Sequence, residues 1–166
     1  LFIGRPKISC SEITAKKGNA LKQILNAEYV SQQINVMEVS IENAPHVSIG
    51  IAKELIETCC KSVFEERNQT CDKNWDLPRL MKKTTKLLKL TPDDIPNETK
   101  AATSIKQILG SLSSVVQGIS EIRNEYGSGH GKAGKYKGLQ PRHARLAVGA
   151  ASTLAIYLLE THQMKK

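Results

Sequence analysis

Aromatic side chains are scarce in this chain: one Trp, two Phe and four Tyr among 166 residues. Sheets draw on aromatic and β-branched residues, so the scarcity argues for closely packed helices with an aliphatic and alanine core. Acidic residues are missing from Tyr126 through Leu159, a stretch that holds Lys132, Lys135, Lys137, Arg142 and Arg145. The four cysteines, Cys10, Cys59, Cys60 and Cys71, have no CxxC spacing and no histidine ladder beside them. Neighbours on a helix point roughly 100° apart, so Cys59 and Cys60 cannot bridge each other there. They are expected as core thiols of a reducing cytoplasm, with no metal site and no cofactor. A membrane span is absent too. The uncharged stretch Leu146 to Leu159 has 14 residues, interrupted by Ser152 and Thr153, whereas crossing a bilayer takes ~20. The chain opens Leu-Phe-Ile-Gly without a charged-then-apolar leader. The expectation is a domain of a longer protein, not a secreted precursor.

What is present is positive charge. The formal net charge is +8 and the pI about 9.4, a balance that favours polyanionic partners. A second basic cluster, Arg79, Lys82, Lys83, Lys86 and Lys89, is expected as the solvated face of a helix.

Residues 1–17 are polar and weakly patterned, and read as a linker or the remnant of an upstream region. Residues 18–166 read as one helical domain. Between Gly18 and Glu42, Val30, Ile34, Met37 and Ile41 recur at helical steps, and Asn43-Ala44-Pro45 interrupts them. His46 to Arg67 carries Ala52, Leu55, Ile56, Cys59, Val63 and Phe64 on one side, which predicts a second amphipathic helix. Asp76 before Leu77-Pro78 is an N-cap signal for a third, with Leu77, Leu80, Met81, Thr84, Leu87 and Leu88 as its buried stripe, ending before Pro92. Thr91 to Asn97 reads as a loop. A fourth helix, Glu98 to Tyr126, has an apolar seam of Ile105, Ile108, Leu112, Val115, Ile119, Ile122 and Tyr126; Gly110 and Gly118 are expected to permit close approach. Gly127 to Gly138 is a glycine-rich loop, and Arg142 to His162 a fifth helix, buried on nearly every side. Its Ala147, Ala151 and Ala155 form a small-residue groove, and the seam of the fourth helix is the expected occupant. The fold class is all-α: a bundle of about five helices with a basic, Gly-rich loop between the last two long ones.

The chemistry concentrates where the fourth helix meets that loop. Arg123 and His130 stand seven positions apart, and Gly129 and Gly131 flank the histidine. A guanidinium is permanently charged and fork-shaped, which suits phosphate. An imidazole takes and gives protons near neutral pH. Glycines let backbone N–H groups approach an anion closely. RNA carries its own nucleophile, the 2′-hydroxyl, so cleavage needs a proton-transfer group and a cation and no metal. His130 and Arg123 fit those roles, and Asn124 can orient the phosphate or the histidine. Lys132, Lys135, Lys137, Arg142, His143 and Arg145 are the candidate phosphate-binding neighbours.

Other motifs are weaker. Gly129 to Lys135 satisfies G-x4-G-K, but Tyr136 replaces the Ser/Thr of a P-loop and no strand precedes it. Tyr126 completes the apolar seam, Glu125 reads as helix-end solvation, and His46 and His162 read as incidental.

The block Arg123-Asn124 with His130 resembles the R-x4-6-H signature of HEPN ribonucleases. Together with Ile51 to Lys61, Ile122 to Gly131 and Arg142 to Leu154, the chain from Ala44 to His162 looks like the abortive-infection C-terminal (Abi-C) domain, a HEPN branch of bacterial phage-defence proteins. The resemblance implies a helical bundle, often a homodimer with a composite active site, that cuts RNA without metal and leaves 2′,3′-cyclic phosphate ends. It implies Arg123 and His130 as catalytic and Asn124 as supporting. It also implies a role in phage defence or as a toxin, under an upstream sensor domain or an antitoxin. A second reading is a non-catalytic nucleic-acid-binding or dimerisation module of a larger defence effector. A third, a DNA-binding domain, lacks a recognition-helix pattern.

Overall fold

The computed structural model describes residues 27–126 and 138–165, and among these the secondary structure is helical throughout. There are five α-helices: α1 (Ala27–Asn43), α2 (Pro45–Glu66), α3 (Leu77–Leu87), α4 (Ala102–Tyr126) and α5 (Pro141–Met164), with a 3-10 turn at Pro92–Asp94. The assignments of residues 1–17 as a linker and of Gly127 to Lys137 as a loop lie outside the described residues.

Proline sets several boundaries. Pro45 opens α2 and Pro141 opens α5, where the missing N–H would have had no helical acceptor. α3 starts as its sequence indicates: Asp76 Oδ1 accepts from the Arg79 N–H at 2.9 Å, and Pro78 sits in the first turn. α4 begins four residues later than the periodicity suggests. Pro96 to Thr99 closes a turn (Thr99 N–H to Pro96 O, 3.1 Å), and Ala101 takes a left-handed φ of 59° that no helix continues through.

The hub is α2. Ser48, Ile49, Ala52, Leu55, Ile56, Cys59, Cys60, Val63 and Phe64 are all buried, and at roughly 100° per residue they spread over about half of the helix circumference. α1, α3, α4 and α5 all pack on this surface. The one buried hydroxyl near the α1–α2 corner, Ser48, is satisfied by donating to Met37 O at 2.7 Å. Burial pushes the Cys60 thiol up to about 12 and the Cys59 thiol higher still, so both sit as inert apolar fillers.

Three expectations change. α5 packs chiefly on α2, not on α4, and Ala144, Ala147, Ala151 and Ala155 are buried there. Its stretch Leu146 to Leu159 is also not buried all round: Leu146 is 74% exposed and Tyr157 37%. The seam of α4 is correspondingly half uncovered, with Ile119 buried but Ile108 65% and Val115 37% exposed. α4 instead buries Ala102, Leu109 and Val116, one position round from the seam, and packs on both α2 and α3. Of its glycines, Gly110 stands against Pro92, where an added Cβ would sit 4.0 Å from the ring, while Gly118 has nothing within 4 Å. α4 and α5 therefore splay, leaving an apolar furrow between them.

Candidate functional site

Arg123 and Asn124 occupy the last described turn of α4 and are both exposed. A cation is favoured there because the helix C-terminus carries partial negative charge. α5 starts at the same end of the bundle and presents Arg142, exposed, and His143, half-buried, in its first turn. The two helix ends share a cleft of about 440 Å³ whose lining includes Ile122, immediately before Arg123, together with Leu139 and His143. Arg123, Asn124, Arg142 and His143 thus collect at one tip. His130, Gly129, Gly131, Lys132, Lys135 and Lys137 lie outside the described residues.

His143 has a defined local role. Its Nδ1 accepts the Gln140 N–H at 3.0 Å, closing a capping box at the start of α5. In the neutral ring the proton then sits on Nε2, which is left as a donor. Arg145 is engaged elsewhere: its guanidinium pairs with Glu42 near the end of α1, so part of its charge is spent within the fold. The second basic cluster behaves as a solvated face. Arg79, Lys82, Lys83, Lys86 and Lys89 are exposed, with the Lys83 ammonium 5.6 Å from the Trp75 ring centroid. Trp75 in turn packs edge-on to Phe64, their centroids 5.7 Å apart. Among the described residues, no group of three or more His, Cys, Asp or Glu side chains is arranged to hold a metal ion, and no helix is long and apolar enough to cross a membrane.

His162, read from sequence as incidental, is instead a buried junction. At 2% exposure it accepts from Arg67 Nε through Nδ1 at 3.0 Å. That fixes the proton on Nε2, which meets Glu66 Oε2 at 2.9 Å. Lys165 adds to this end of the molecule by donating Nζ to Leu88 O at 2.6 Å, at the C-terminus of α3. Glu66, Arg67, His162 and Lys165 line a polar cleft of about 340 Å³. It lies some 20 residues along α5 from His143, about 30 Å at 1.5 Å per residue. No local pattern could have revealed it, because partners such as Arg67 and His162 are separated by 95 positions. His46 is exposed.

Comparison with curated proteins and with solved structures returns no match. The profile of the Abi_C family, described as a HEPN-like domain, matches residues 27–162, which takes in all five helices almost from end to end. The chain belongs to this family of HEPN-like domains.

Proposed function

We propose that the protein is a metal-independent endoribonuclease of phage defence or toxin type, working in the cytoplasm on cellular or phage RNA. The observation that supports this reading is the exposed Arg123–Asn124 pair on the last described turn of α4, at the end of a HEPN-like bundle where α5 begins. In the proposed reaction the 2′-hydroxyl attacks the adjacent phosphorus, its oxygen bonding to phosphorus as the bond to the 5′-oxygen breaks. His130 serves the proton transfers, from the 2′-hydroxyl and to the departing 5′-oxygen. Arg123 neutralises charge on the phosphorane oxygens, and its planar fork suits two of them at once. Asn124, with one donor group and one acceptor, orients the phosphate or the imidazole. Lys132, Lys135, Lys137 and Arg142 hold flanking phosphates. The products are a 2′,3′-cyclic phosphate and a 5′-hydroxyl.

A second copy of the chain belongs to this reading. Ile108 and Val115 of α4 and Leu146 and Tyr157 of α5 leave an apolar furrow in contact with solvent, the kind of surface that marks an interaction site. A homodimer across it, with its two-fold axis running along α4 and α5, sets two tips side by side and yields a composite active site.

The deciding experiment is cleavage of labelled RNA by wild type, Arg123→Ala and His130→Ala, with and without a chelator. Cutting that survives the chelator and is lost in both variants, with RNA binding retained, is the expected result. Abolition by the chelator overturns the metal-free chemistry. RNA binding without cutting, in every oligomeric state of the wild type, supports the non-catalytic module instead.

A further inference from the structure

The cleft at the tip has a property that phosphate chemistry alone does not use: it is a mostly apolar slot with two polar side chains, His143 and, exposed on α4, Ser114. Its volume of about 440 Å³ lies within the range of ~300–1,000 Å³ typical of small-ligand sites. Val115, Ile119 and Ile122 wall it from α4, and Leu139 and Leu146 from the other side. Gly118 lines it too, at the border with a second cleft, and a Cβ added there would meet nothing within 4 Å. His143 lines it as well. With Nδ1 committed to the Gln140 N–H, the neutral ring offers Nε2–H as a donor.

We propose that this slot receives one nucleobase of the RNA, next to the linkage that is cut, and that His143 Nε2–H reads an acceptor on the base edge; the assignment rests on the ribonuclease reading above. A base has two apolar faces and a polar rim. Apolar walls with a donor held in place by its own helix cap, and a serine hydroxyl at the exposed edge, suit that shape, as in enzymes that hold an extruded base between side chains while reading its edge. Position supports the same occupant. Ile122 in the wall directly precedes Arg123, and His143 is directly preceded by Arg142. A base seated there has its phosphate at the end of the bundle that carries Arg123 and Arg142, although neither arginine lines the slot itself. The neighbouring furrow towards Tyr157 shares Val115, Leu146 and Ala150 with the slot, but its further lining includes Ile108, Arg145, already paired with Glu42, and Thr153, whose hydroxyl donates to Gly149 O. That part is left to the second copy.

The test is titration of the full chain with uridine 5′-monophosphate and adenosine 5′-monophosphate, followed by amide chemical shifts, alongside cleavage of short RNAs that differ in one base beside the cut. The variants are Gly118→Leu, which fills open space on a helix that gains propensity from it, and His143→Gln, which keeps an acceptor for the cap and a donor for the base. Expected are shifts at Gly118, Ile122 and Ala147 on nucleotide addition, and binding at least tenfold weaker in Gly118→Leu. In cleavage, wild type shows a base preference that Gly118→Leu loses and His143→Gln keeps at least in part. Nucleotide shifts that avoid these residues, or an unchanged base preference in Gly118→Leu, overturn the assignment while leaving the ribonuclease intact. A Gly118→Leu chain that turns from dimer to monomer also overturns it, because the slot is then a contact between copies. Should wild type not cut RNA at all, the ribonuclease reading fails, and the nucleotide shifts alone decide whether the slot takes a base.

Discussion

Replacing His162 by Phe keeps most of the ring volume and removes both of its hydrogen bonds, so it isolates what the polar junction contributes. Two bonds to charged partners are lost, from Arg67 Nε at 3.0 Å and to Glu66 Oε2 at 2.9 Å. Bonds of that class contribute about 1.5–3 kcal/mol each. Glu66 is 43% exposed and can regain water, so the full burial penalty of an orphaned carboxylate does not apply. The expected loss is therefore about 2–4 kcal/mol. A chain of this size shifts its melting point by roughly 2–4 °C per kcal/mol, which makes the drop about 4–16 °C by circular dichroism. His162→Gln, whose amide retains one donor and one acceptor, should recover about half of it. A His162→Phe chain that melts with wild type would show that apolar packing alone holds α5 to α2 there, and the reasoning from the junction would be wrong.

Other expectations follow from individual sites. Cys59 and Cys60 are buried with thiols pushed far up, while Cys71 is half-buried. In folded protein at about pH 8 a thiol reagent should modify Cys71 and reach the other two only on denaturation; mass mapping of early label at Cys59 or Cys60 contradicts the burial. The Thr91 hydroxyl and N–H hold the Asp94 carboxyl below its ordinary value. Its contribution is thus present above the unfolded carboxylate pKa of about 4 and fades as pH falls through the lower folded value. Asp94→Asn should flatten that acid limb of the melting curve, and an unchanged limb sinks the idea. Arg145→Ala removes one partly exposed ion pair and should cost no more than about 1 kcal/mol, against the several expected at His162. Ile108→Asp combined with Leu146→Asp should leave melting within a few degrees but abolish dimer in sedimentation; a dimer that persists places the contact elsewhere.

The helices themselves were legible because the chain is locally consistent. Pro45 and Asp76 announce starts, the period of three and four runs through α2 and α4, and α2 and α5 fall within about two residues of their expected ends. Partnership was not legible. The regular seam from Ile105 to Ile122 says that α4 has an apolar face, and nothing in its spacing says whether the cover comes from α5, from α3 or from another molecule. Burial of Leu109 and Val116, and exposure of Ile108, show that the packed direction is rotated off the seam. At the candidate site, Arg123 and Asn124 stand in the last described turn of the helix on which the sequence places them. The cap made by His143 and the engagement of Arg145 with Glu42 were hidden for different reasons. His143 answers Gln140, an uncommon capping residue, and Glu42 is 103 positions from Arg145.

The order in which the hub is made and completed has a consequence for biosynthesis. α2 emerges early, yet its largest partner, α5, is translated only after the whole of α3 and α4. Until the ribosome has passed Met164, one flank of α2 stays bare and the cleft between α4 and the start of α5 is incomplete. A nascent chain of this topology keeps part of its apolar hub open to other molecules, and acquires its shape only once synthesis of the domain is over.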